Sequence, residues 1–133
     1  MVATATTDAP LAADGCRLPP LTGFENHSAV TTLGPGSRRL AQVVRGVGNG
    51  SGDGTEGAWS GRVLGTYLHG PVLARNAALA DLLLGWAMST SDGPAPLAPL
   101  DDAEETALRR ERLRAAEASG TGRFVRRLTG HRT

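Results

Sequence analysis

Lysine is absent from this 133-residue chain, so all 14 cationic side chains are arginine; cysteine occurs once, and aromatic residues make up 4%. A single cysteine excludes an internal disulfide and a thiolate zinc site, and it points to a reducing compartment, the cytoplasm. So few large rings, with 18 glycines and 8 prolines, leave little to fill a core, and any packed unit must be small. No run is long and apolar enough to span a bilayer. The opening Met1-Val2-Ala3-Thr4-Ala5-Thr6-Thr7-Asp8 has neither the basic start nor the apolar stretch of a secretory signal. A net charge of +1 sets no strong field for nucleic acid or an anionic membrane, although Arg123, Arg126, Arg127 and Arg132 make the end of the chain basic.

What is present concentrates between Leu21 and Met88, which holds both tryptophans, the tyrosine and most aliphatic residues. Residues 1–20 mix Ala, Thr, Asp and Gly, bury too little apolar surface to offset the entropy of ordering, and are expected to be flexible. Strands are expected at Ala29 to Leu33, at Leu40 to Val44, and from Ala58 to Leu68, where His69-Gly70-Pro71 stops the last. Glycine at alternate positions from Gly46 to Gly54 makes a mobile loop. Asn76 can cap a helix whose apolar positions Leu79, Leu82, Leu83, Trp86 and Ala87 follow three-and-four spacing and give one broad face. After a linker over 91–100, Asp101-Asp102-Ala103-Glu104 offers a capping box for a charged helix over 101–119, followed by a basic tail over 120–133.

His69 is the most suggestive chemical residue, because it ends a strand, where a side chain can project into a cleft, and a Gly-Pro turn follows it. In a strand, Glu25 and His27 share one face and Asn26 the other; a carboxylate near an imidazole can support acid-base work or simply bridge neighbouring strands. The glycine loop runs into another strand and occurs once, so it fits neither a dinucleotide fingerprint nor a calcium-binding repeat. Cys16 is poorly placed for a nucleophile: an activated thiolate wants a rigid strand-to-helix elbow, and Cys16 leads into Pro19-Pro20.

Taken together, Leu21-Thr22-Gly23-Phe24-Glu25-Asn26-His27, the loop from Gly48-Asn49 to Glu56-Gly57, and Gly65-Thr66-Tyr67-Leu68-His69-Gly70-Pro71 with Asn76 to Leu84 behind it resemble the CobB/CobQ-like glutamine amidotransferases, in order and in spacing. The resemblance covers Leu21 to about Met88. It implies glutamine hydrolysis in which a cysteine attacks the side-chain amide and a histidine, here His69, relays the proton to departing ammonia. Glu25, Asn26, His27 and Tyr67 are candidates to support it. Pro71 stands where many related amidotransferases carry a carboxylate that orients the ring. The Gly-Phe-Glu-Asn-His form looks most like GatD-type glutaminase subunits, which implies a Mur-ligase-like, MurT-type partner and amidation of the peptidoglycan precursor lipid II. Cobyric or cobyrinic acid amidation is the alternative within the same chemistry. The resemblance implies no cofactor or metal.

The expectation is therefore an α/β fold: a three-strand portion of a larger mixed sheet of the class I glutamine amidotransferase type over residues 21–90, one packed helix, and the charged helix beyond. The family's nucleophile belongs to sequence preceding this segment. Residues 1–20 do not resemble that region, so the chain is expected to be a fragment or split-gene product without activity alone. A non-catalytic interaction module, using the arginine-rich helix and tail, is the rival from another class.

Overall fold

A computed structural model describes residues 2–7, 18–26, 28–89 and 97–128, which fall in two units divided between Leu100 and Asp101. In chain order the first unit comprises β1 Val2–Thr7, β2 Leu21–Glu25, β3 Ala41–Arg45, β4 Thr55–Glu56, β5 Ala58–Ser60, β6 Val63–Gly65, β7 Leu68–His69, α1 Val72–Arg75 and α2 Ala77–Ala87. Five strands form one sheet in the order β4-β3-β1-β2-β7, and each adjacent pair is antiparallel. The other two, β5 and β6, pair as a separate hairpin.

Several elements differ from the sequence expectation, each for a physical reason. Val2–Thr7 lies at the centre of the sheet, between β2 and β3, although it falls within the segment expected to be flexible. Its threonines and valine favour extended backbone, and a central strand draws ladder hydrogen bonds from both sides, a gain that local composition does not reveal. Among the described residues the sheet is antiparallel and five-stranded, where a three-strand portion of a mixed sheet was expected. Ala29 to Leu33 forms no strand. The single strand expected from Ala58 to Leu68 is broken at Gly61, whose φ of 56° turns the chain back into a tight hairpin.

The core is as small as the composition requires: Leu21, Leu40, Ala41, Leu68 and Leu79 are buried, with Leu18, Trp59, Leu64, Val72, Leu82 and Leu83 packed partly against them. Burying each leucine contributes about 1.5–3 kcal/mol. Helix α2 supplies Leu79, Leu82 and Leu83 from one face, as the three-and-four spacing expects, while Ala87 is exposed. Gly23 lets β7 close on β2, because a Cβ there would stand 2.7 Å from the Leu68 Cβ.

The second unit is one helix, α3 Ala103–Leu128, which continues past residue 119 into the segment read as a tail. Asp101 Oδ1 accepts the Ala103 amide at 3.1 Å, and Glu104 and Glu105 in the first turn complement the positive end of the helix dipole. Among the described residues no helix is long and apolar enough to cross a membrane.

Candidate active site

Strand β7 has only two residues, and alternation sends them to opposite faces: Leu68 is 3% exposed in the core, whereas His69 is exposed. His69 pairs across the ladder with Phe24, and residues directly opposite in an antiparallel pair share a face. Phe24 is 41% exposed, and the Arg75 guanidinium lies over its ring at 4.6 Å from the centroid. The imidazole thus stands on the outermost strand of the sheet, on the same face as an aromatic ring covered by a cation. A cis Gly70–Pro71 bond follows and leads into α1.

Two buried polar side chains flank β7. On the upstream side, Glu56 Oε1 accepts the Thr66 hydroxyl and, at 3.0 Å, the Tyr67 amide, and Thr66 Oγ1 accepts the Leu68 amide at 3.0 Å. On the downstream side, Asn76 Oδ1 accepts the Thr22 amide at 2.9 Å, while its Nδ2 donates to the Thr22 carbonyl at 2.9 Å and the Val72 carbonyl at 2.6 Å. Asn76 does precede α2, as the sequence suggests, but its side chain makes no capping bond. It acts instead as a substitute peptide, satisfying the edge of β2 at Thr22, beyond the point where the ladder with β7 ends.

Of the candidate supporting residues, Glu25, Asn26 and Tyr67 have described positions. Glu25 is paired with Leu68, one position along from the Phe24–His69 pair and so on the other face. Its carboxylate accepts the Val47 amide at 2.9 Å and the Gly48 amide at 2.6 Å, which ties β2 to the start of the glycine loop. Asn26 is exposed just past β2. The Tyr67 hydroxyl bonds Thr31 Oγ1 at 2.6 Å and helps line a cavity of about 200 Å³ with Thr31, Asn49, Gly57, Ala58, Gly65 and Thr66. His27 and Cys16 lie outside the described residues.

The glycine loop is built, not slack. Asn49 is fully buried and donates through Nδ2 to Thr55 Oγ1 at 3.0 Å and the Gly57 carbonyl at 3.1 Å, while its backbone amide reaches the Thr55 carbonyl at 2.8 Å. The Thr55 hydroxyl and amide donate to Asp53 Oδ1 and hold that carboxyl below its ordinary value. Asn49 and Glu56 were missed as individual residues; the available signal was one amide and two acids, Asp53 and Glu56, inside an otherwise small-residue loop. Gly48 has φ of 64°, and a Cβ there would meet the Thr55 carbonyl oxygen at 2.2 Å and Val43 at 2.5 Å. Gly48→Ala is therefore expected to cost about 3 kcal/mol or more, from left-handed backbone strain plus overpacking. Urea unfolding measures it, and a loss under about 1 kcal/mol contradicts this description of the loop.

Comparison with known proteins falls on this same region. The CobB/CobQ-like glutamine amidotransferase domain matches residues 4–77 of the 133, a stretch that includes part of β1, the glycine loop and His69. The match begins upstream of Leu21, where the resemblance in the sequence was expected to start. The GatD subunit of the glutamine-hydrolyzing lipid II isoglutaminyl synthase of Streptococcus pneumoniae is 44% identical over 71 residues, which cover 53% of this chain and 27% of that protein. Its Staphylococcus aureus counterpart is 44% identical over 64 residues, covering 48% of this chain and 26% of that protein. Cobyric acid synthase of Pelotomaculum thermopropionicum is 46% identical over 69 residues, covering 50% of this chain and 13% of that protein. The chain thus spans about a quarter of the GatD relatives and a smaller share of the synthase.

Proposed function

This chain belongs to the CobB/CobQ-like glutamine amidotransferase family, and from that premise we propose that it carries the proton-relay histidine of a glutaminase. The observation that carries the reading is the exposed imidazole of His69 on the outermost strand, inside the family-matched segment and open to a neighbouring polypeptide. In the reaction, a thiolate adds to the carbonyl carbon of the glutamine side-chain amide and forms a tetrahedral oxyanion held by backbone amides. His69, as imidazolium, gives its proton to the amide nitrogen, the carbon–nitrogen bond breaks, and ammonia departs from a thioester. His69 then takes a proton from water as the oxygen attacks the thioester, and glutamate leaves with the thiolate and the imidazolium restored.

The thiol comes from polypeptide outside these residues, since the relatives are several times longer than the matched stretch and the sequence after Cys16 runs into Pro19-Pro20. The ammonia is consumed by a MurT-type ATP-dependent ligase that amidates lipid II, a reading supported by the two GatD relatives and the Gly-Phe-Glu-Asn-His sequence. Cobyric acid amidation is the second reading, favoured by the 46% identity to a cobyric acid synthase. Mixing the chain with a separately expressed polypeptide that carries the family's glycine-flanked cysteine tests the proposal. Ammonia release from glutamine is expected only when both are present. No release from the mixture, with both components folded and associated, sinks it.

A further inference from the structure

We propose that Glu56 is the positioning residue for His69, an inference that rests on the glutaminase reading for its catalytic consequence but not for its geometry. Glu56 is 1% exposed, and one carboxylate oxygen takes both the Thr66 hydroxyl and the Tyr67 amide. Thr66 Oγ1 in turn accepts the Leu68 amide, so the three residues immediately before His69 hang from one buried acid. The strand that carries the imidazole cannot orient it unaided: β7 has two residues, pairs among the described residues with β2 alone, and lies at the end of their sheet order. Such an edge frays unless something outside the ladder holds it.

Stability alone does not account for a carboxylate here. The second oxygen of Glu56 has no donor among the described residues, and burying a carboxylate with an unpaired oxygen is costly. A packed apolar side chain would avoid that cost but would leave the Thr66 hydroxyl and the Tyr67 amide without their acceptor. Glutamine keeps an acceptor in the same place without the charge. The hold on His69 therefore depends on the acceptor atom, and Glu56→Gln retains what Glu56→Ala loses.

The first readout is nuclear magnetic resonance on the chain itself, with the His69 imidazole assigned by comparison with His69→Gln. In Glu56→Ala, amide hydrogen exchange at Tyr67 and Leu68 is expected to rise by about tenfold more than at β3 amides, as for loss of a buried hydrogen bond. The His69 imidazole signals move or broaden, while Glu56→Gln restores both to near wild type. Leu40→Ala, a core variant, is expected to raise exchange throughout without singling out residues 67 and 68. Should Glu56→Ala fail to fold, Thr66→Val, which keeps the side-chain shape, is expected to speed exchange at Leu68. In the assembly with the thiol-bearing polypeptide, Glu56→Ala is expected to lower kcat by about tenfold with KM within about twofold, from misplacement of the relay group.

Exchange that rises uniformly in Glu56→Ala, or in Thr66→Val where that variant stands in, overturns the positioning role whether or not glutamine is hydrolysed. Selective exchange at 67 and 68 supports Glu56's hold on His69. If it accompanies a wild-type assembly that releases no ammonia, it overturns the glutaminase reading instead.

Discussion

Replacing His69 with alanine is expected to lower kcat for glutamine hydrolysis by about 10²–10⁴ in the assembly with the thiol-bearing polypeptide, the range for loss of a positioned acid-base group. That corresponds to about 3–5 kcal/mol of transition-state stabilisation. KM is expected to stay within about threefold, because the group acts on protons in flight and not on the resting substrate. The position makes the experiment clean. His69 is exposed, and exposed substitutions away from special features change stability by only about 0.5 kcal/mol either way. The unfolding midpoint should therefore not move, and the lost rate cannot be assigned to lost protein. His69→Gln, which can hydrogen-bond but not carry a proton, should be as slow as His69→Ala; a fast glutamine variant would reduce His69 to a hydrogen-bonding role.

Asn76→Ala is expected to produce the largest loss of stability among single polar substitutions in the first unit, about 3 kcal/mol or more. Thr22 is 1% exposed and Asn76 6%, so truncation leaves the Thr22 amide and carbonyl unpaired in a dry site, each costing about 1–3 kcal/mol. The Val72 carbonyl loses its bond as well. Against a total stability of roughly 5–15 kcal/mol for a domain, this is a large fraction. Asn76→Asp should fall between, since it can still accept the Thr22 amide but can donate to neither carbonyl. Urea or guanidinium unfolding provides the measurement. A cost near that of an ordinary helix cap, about 1 kcal/mol, would show that the tether to β2 contributes little.

What sequence reasoning reached and missed divides along local and non-local lines. Helix α2 was legible because the spacing of Leu79, Leu82, Leu83 and Trp86 encodes its buried face within eleven residues, Ala77–Ala87. Strand β3, observed at Ala41–Arg45 against an expected Leu40 to Val44, was legible from its β-branched run. Strand β1 was not, because six residues of alanine, threonine and one valine look unable to pack, and their reward comes from strands more than a dozen positions away.

Asn76 shows the same limit at a single side chain. Its place before a helix was readable, but its partner at Thr22 is 54 positions away, and a local rule assigns it a cap. Glu25 ends β2 on the face opposite Phe24, while Asn26, which was to take the other face, lies past the strand and His27 outside the described residues. The amides that claim Glu25, at Val47 and Gly48, belong to a loop whose glycines suggested motion and not a fixed anchor. The place of His69 at a strand's end was legible because the Gly-Pro step that stops the strand is local.

The central claim is that the imidazole at position 69 relays a proton, and chemical rescue tests it most directly. In the assembly with the thiol-bearing polypeptide, His69→Gly is expected to release ammonia from glutamine slowly, and added imidazole is expected to raise the rate toward a plateau while leaving wild type unaffected. Release by His69→Gly at the full wild-type rate with no imidazole present would contradict the account.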